Sequence, residues 1–195
     1  MLGLKLNKEV VERCVRALKS MAELQGRSRQ RLIRDTLAVC STCDDAYSAL
    51  LDRLIPIKKA FRSPSRLADE LVALAGDSKM RKRFKPEGLC SEIDQLLVDF
   101  QSHLNGLRYS VHVLSISEIR DALRSMGSYD QALYHQYDSL MSQIGAIGSE
   151  LAVARGEDRK QLVSQARAAV SGLETDLKES VIAMRRAKDT IRGLM

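Results

Sequence analysis

From Val163 to Leu194, apolar or small side chains return at alternating intervals of three and four residues. They run Val163, Ala166, Val170, Leu173, Leu177, Ser180, Met184, Ala187, Ile191 and Leu194. That spacing follows the 3.6-residue helical turn and places every member on one stripe of a helix. At 1.5 Å per residue, the helix that carries this stripe, running from the Arg155-Gly156 turn almost to the last residue, is a rod roughly 55 Å long, more than a compact bundle needs to cover. A strand cannot satisfy this pattern, because its side chains alternate faces every second residue.

The same alternation recurs along the rest of the chain. Asn7 is the expected N-cap of a first helix carrying Val11, Cys14, Leu18 and Met21, which Gly26 ends or bends. A second helix starts near Ser28 and holds Ile33, Thr36, Cys40, Cys43, Tyr47, Leu50 and Leu54 on one seam, stopping at or kinking around Pro56. Ser63-Pro64 supplies a cap followed by proline at the first helical position, and Leu67, Leu71 and Leu74 carry a short helix to Gly76. Further on, Cys90, Ile93, Leu97, Phe100, Leu104, Leu107, Val111 and Leu114 keep the pattern. Ser115 and Glu118 have capping-box spacing, so a helix either restarts there or simply continues. The β-branched run Tyr109–Ile116 also admits a strand, but its register with the preceding helix favours helix. From Ser128, Leu133, Tyr137, Leu140, Ile144, Ile147 and Leu151 repeat the stripe up to a turn at Arg155-Gly156.

The expected architecture is therefore all-α: an elongated antiparallel bundle of long heptad-patterned helices. Residues 1–154 would form the bundle, and 155–195 a long C-terminal helix that packs on it or extends from it, within one domain overall. Composition agrees, with 4% aromatic residues, no Trp and three Pro in 195 residues.

No catalytic constellation is legible. Cys40-x-x-Cys43 can be a redox pair or half of a zinc site, but no second pair stands at ligand spacing, and Cys14, Cys40, Cys43 and Cys90 all fall on core seams. They read as small buried hydrophobes, reduced and without metal. His103, His112 and His135 form no HxxxH pair. His135 lies between Asp130 and Asp138, which could orient an imidazole, although surface placement is the simpler reading; Tyr129, Tyr134 and Tyr137 form a patch beside it. Neither GxxxxGK[ST] nor GxGxxG occurs. No enzyme, cofactor or metal is expected. Gly145 and Gly148 sit inside a helical pattern, where each costs about 1 kcal/mol relative to Ala, so they either admit a close neighbour or act as a hinge.

Charge points to partners. The net charge is +6, and basic residues cluster: nine against three acids in residues 1–34, and five against two in 77–88. Residues 127–154 carry three acids and no Lys or Arg. Arg27, Arg29, Arg31 and Arg34 form one cluster; Lys79, Arg81, Lys82, Arg83 and Lys85 form another, which Lys58, Lys59 and Arg62 adjoin. Such groups can contact anionic lipid or nucleic acid, and Phe84 offers an apolar anchor within the second cluster. No recognisable nucleic-acid module accompanies them. Without an apolar window of 18 residues, a secretory core or Gly at position 2, an intracellular, cytoplasmic protein is expected, with peripheral membrane contact open to it. The long C-terminal seam, at Leu177, Met184, Ile191 and Leu194, is the expected surface for self-association or a protein partner. Either the chain itself covers that seam, or its distal half projects.

Leu71-Val72-Ala73-Leu74, then Ser78-Lys79-Met80-Arg81-Lys82-Arg83-Phe84, then Glu92-Ile93 through Leu97, Phe100 and Leu104, resemble part of the HeLo-type four-helix bundle of mixed lineage kinase domain-like proteins. The resemblance spans residues 67–123. It implies a bundle that engages other proteins and, in some members, binds anionic lipid and permeabilises membranes after oligomerising. The chain departs from that pattern in lacking a glycine-rich apolar N-terminal segment and in ending on a long heptad helix without a kinase or nucleotide-binding domain.

Overall fold

A computed structural model describes residues 27–84 and 134–195, which are helical with no strand among them. The expected helices over residues 7–26 and 90–126, the start of the one from Ser128, and Cys14, Cys90, His103, His112 and Tyr129 lie outside the described residues.

The elements are α1 (Arg27–Ala60), α2 (Pro64–Ala75), α3 (Ser78–Arg83), helical residues 134–153 (α4) and α5 (Gly156–Arg192). No helix among the described residues is long and apolar enough to cross a membrane.

Both long seams face inward. On α1, Ile33, Cys40, Cys43, Tyr47, Leu50 and Leu54 are buried; on α5, Ala166, Val170, Leu173, Leu177, Ser180, Met184, Ala187 and Ile191 are buried. The two helices pack on each other and run in opposite directions. Asp44 of α1 meets Lys188 of α5 at 2.9 Å, and Lys58 meets Glu174 at 2.8 Å. Moving fourteen residues up α1 thus moves fourteen down α5.

Helix α1 does not stop at Pro56. It passes through and adds a last turn, in which Ile57 and Ala60 are buried. A proline near a helix end removes one backbone hydrogen bond, and the burial of that turn offsets the loss.

The start of α2 matches its sequence signal, with Pro64 at the first position and Ser63 extended before it, although the Ser63 side chain makes no capping hydrogen bond. Gly76 ends α2 at φ −86°, a conformation open to any residue. At Arg155-Gly156 the expected turn does use glycine: Gly156 takes φ 58°, where other side chains are strained. Glu157 and Asp158 then stand in the first turn of α5, next to its unpaired amides.

Gly145 and Gly148 resolve as close-packing positions. A Cβ built on Gly145 would lie 3.0 Å from the Ala75 Cβ, and one on Gly148 3.0 Å from both Leu71 Cβ and Val72 Cγ2. The absent side chains let α4 lie directly on α2.

Candidate partner-docking surface

The basic stretch after Gly76 is not an extended connection. Asp77 caps it as a helix, its carboxylate accepting from the backbone amides of Lys79 at 3.1 Å and Met80 at 3.0 Å. Asp77 is itself held by Arg53 of α1, Nε to Oδ2 at 3.1 Å. Six residues form a helix too short to persist by propensity alone, so tertiary contacts must hold it, and Met80 and Phe84 supply them.

Phe84 corrects the expectation of an apolar anchor reaching outward. It is 2% exposed, stacks on Tyr137 of α4 with ring centroids 4.5 Å apart, and meets Tyr47 of α1 edge-on at 6.0 Å. Burial in this cluster pushes the Tyr137 phenol well above its ordinary value, and the Asp77 charge adds to the shift. The expected tyrosine patch is thus core at Tyr137 and half-buried at Tyr134. His135 is exposed beside Tyr134, as surface placement predicts.

With Met80 and Phe84 turned inward, Lys79, Arg81, Lys82 and Arg83 are exposed. Arg81 reaches Asp138 of α4, whose charge is the largest cause of its raised pKa, with Tyr134 adding a hydrogen bond. No ion pair engages Lys79, Lys82 or Arg83 among the described residues. Of the other expected cations, Lys58 is taken by Glu174, while Lys59 and Arg62 are exposed. Arg27, Arg29 and Arg31 fall on the first turns of α1 with side chains outside the described set, and Lys85 lies outside the described residues.

The seam residues proposed as an interface are occupied by the chain itself. Leu177, Met184 and Ile191 are buried, and Leu194 is half-buried against the same core. A stripe already covered by α1 leaves no distal half to project. Anything that docks on α5 without opening the chain must use its other face.

Sequence reasoning missed the polar contacts inside that seam. Asp44 stands between Cys43 and Tyr47, 6% exposed, with Lys188 Nζ at 2.9 Å and Arg185 Nε at 3.4 Å. The only local signal was an acid flanked by two seam positions. Its partners are 141 and 144 residues away (185 − 44 and 188 − 44) and could not be nominated from spacing.

Cys40 and Cys43 are buried and form no disulfide. Burial raises the Cys40 thiol to about 11, against a smaller opposing influence of Lys188. A thiol protonated at neutral pH is a poor nucleophile and a poor metal ligand. Among the described residues no group of three or more His, Cys, Asp or Glu is placed to hold a metal ion. Compared with protein-family models, curated proteins and solved structures, the chain matches none.

Proposed function

We propose that this chain is a non-enzymatic helical adaptor that docks a protein partner, another molecule or its own copy, on the outward faces of its long helices. The observation that carries the reading is the α1–α5 frame. Two antiparallel helices of 34 and 37 residues close on their shared seam, with a partly buried ion pair within it and one outer face left on each. At 1.5 Å per residue the frame offers about 50 Å of surface. Ile55 on α1 and Ile182 on α5 are 49% and 51% exposed on those outer faces. Of the side chains with reactive chemistry that the sequence singled out, Cys40 and Cys43 are packed in the core, where burial disfavours a nucleophilic role.

A photo-crosslinking residue placed at Ile55 or at Ile182, with light scattering of the purified protein, tests this. The expected result is an adduct with a discrete protein that depends on the labelled position. A doubled mass would identify the partner as a second copy. No protein adduct at either position, with the mass of one chain at high concentration, would overturn the reading.

A second reading, a HeLo-like bundle that binds anionic membranes, draws support from the exposed Lys79, Lys82 and Arg83. The burial of Phe84 deprives it of an apolar anchor, and stable membrane attachment generally takes two signals. Salt-sensitive binding to vesicles containing anionic lipid would promote it over the first.

A further inference from the structure

We infer that the outward face of α3, formed by Lys79, Lys82 and Arg83, is a docking surface for an acidic segment of a partner protein; this rests on the adaptor reading and names the chemistry of the partner. On a helix, positions i, i+3 and i+4 are neighbours, so Lys79 stands over both Lys82 and Arg83, and like charges there repel. Cations in a last helical turn complement the carbonyl end of the helix, which accounts for Lys82 and Arg83. It does not account for Lys79, which sits in the first turn, where a cation is unfavourable.

Some cations of the fold are paired: Arg53, Lys58, Arg81, Arg185 and Lys188 each meet a carboxylate. Others, among them Lys59, Arg62, Arg66 and Arg186, stand exposed without a carboxylate partner among the described residues. On α3 the fold holds three together without one among the described residues. It also fixes them in place, since Met80 and Phe84 are locked in the core and Asp77 and Arg81 tie the helix to α1 and α4. The result is a preorganised convex cationic face whose mutual repulsion a set of carboxylates would relieve.

The geometry favours an acidic polypeptide over other polyanions. Met80 and Phe84, the large apolar side chains of α3 and its cap, point inward, so among the described residues this face offers no apolar side chain to insert into a bilayer. Of the aromatic rings nearby, Phe84 and Tyr137 are stacked on each other in the core, and Tyr134 is half-buried and hydrogen-bonded to Arg81, which leaves little ring surface for bases. Three cations also fall short of the roughly 6–10 phosphate contacts of a typical nucleic-acid interface. Carboxylates spaced along a partner helix or an extended acidic stretch can each meet one of them, giving an association steered by charge and weakened by salt.

Fluorescence anisotropy of a labelled peptide of eight glutamates, at low and raised salt, tests the assignment on the full chain. Wild type is expected to bind in a salt-dependent way, and Lys79→Glu/Lys82→Glu/Arg83→Glu to lose about tenfold or more in affinity. A control with the same net charge, Arg66→Glu/Arg155→Glu/Arg186→Glu, reverses three exposed cations outside α3 and the residues that adjoin its cluster, and should retain binding. Should the triple reversal disturb folding by circular dichroism, the neutral Lys79→Gln/Lys82→Gln/Arg83→Gln variant replaces it, with a smaller loss expected. Equal losses in patch and control variants would reduce the effect to bulk charge and overturn the inference. So would patch-dependent binding that is tighter to phosphatidylserine vesicles or to single-stranded RNA than to the peptide. Protein adducts at Ile55 or Ile182 that persist in the patch variant, without peptide binding by wild type, would sink this inference and leave the adaptor reading standing.

Discussion

Gly148→Ala should destabilise the protein although alanine is the better helix former, and Gly172→Ala should do the opposite. In a helix interior alanine is favoured over glycine by about 1 kcal/mol. At Gly172, on α5, an added Cβ meets nothing within 4 Å, so most of that gain should appear as stability, about 0.5–1 kcal/mol. At Gly148 the same Cβ would lie 3.0 Å from Leu71 Cβ, 3.0 Å from Val72 Cγ2 and 3.1 Å from the Ala68 carbonyl oxygen. Two of those atoms are bound to or belong to the α2 backbone and cannot rotate away. Relief requires α4 and α2 to part by about 0.5 Å, and gaps of that size forfeit a quarter or more of the dispersion attraction along the contact. Overpacking of this kind costs about 1–3 kcal/mol. Subtracting the propensity gain leaves a net loss of about 1 kcal/mol for Gly148→Ala. Gly145→Ala, with one close atom, the Ala75 Cβ, should fall between the two. Urea unfolding followed by helical circular dichroism measures all three, the midpoint moving while the slope holds. Equal stabilisation by Gly148→Ala and Gly172→Ala would refute the close approach of α4 to α2.

Asp44→Ala should cost about 2 kcal/mol, because it strands Lys188 within the seam; Lys188→Met should cost less, since Arg185 still faces the carboxylate. A double-mutant cycle in urea reads their coupling, and additive effects would refute the pair. The Cys40 thiol, raised to about 11, should resist a disulfide exchange reagent at pH 8 in the native protein and react on unfolding; fast native labelling would contradict its burial. Glu174 is held below its ordinary value of 4.5, first by its hydrogen bond to Lys178 and then by that to Lys58. A lowered folded-state pKa contributes stability that is present above the unfolded value and lost as pH falls through the folded one. Glu174→Gln should therefore flatten the acid limb of stability against pH below about 4.5, and an unchanged limb would remove these pairs from the account. Ile191→Asp with Leu194→Asp should lower the melting temperature without changing the mass, because α5 is covered within the chain; a drop from oligomer to monomer would restore the projecting seam.

The amino-acid order by itself determined the helices and their buried stripes. Leu173, Leu177, Met184 and Ile191 are buried as their spacing requires, and Pro64 and Gly156 stand at the start of helices. These are local matters: a 3.6-residue turn sorts side chains onto faces, and φ preferences select starts and stops, whatever lies elsewhere in the chain. What fills a stripe is not local. Only the tertiary structure decided that α1 covers the α5 seam, because an apolar stripe specifies that it must be covered and leaves open by which surface. Phe84, flanked by cations, has the local composition of a surface residue; its burial follows from Tyr137 and Tyr47, distant in sequence and adjacent in space. Asp44 is tolerated in the core because Lys188 and Arg185 arrive from the far end of the chain. Gly145 and Gly148 declare themselves packing positions only once α2 lies against them. The exposed cations of α3 were visible as a cluster in the sequence, whereas which of them meets a carboxylate, and which are held out on a fixed face, depended on where the fold delivers Asp138.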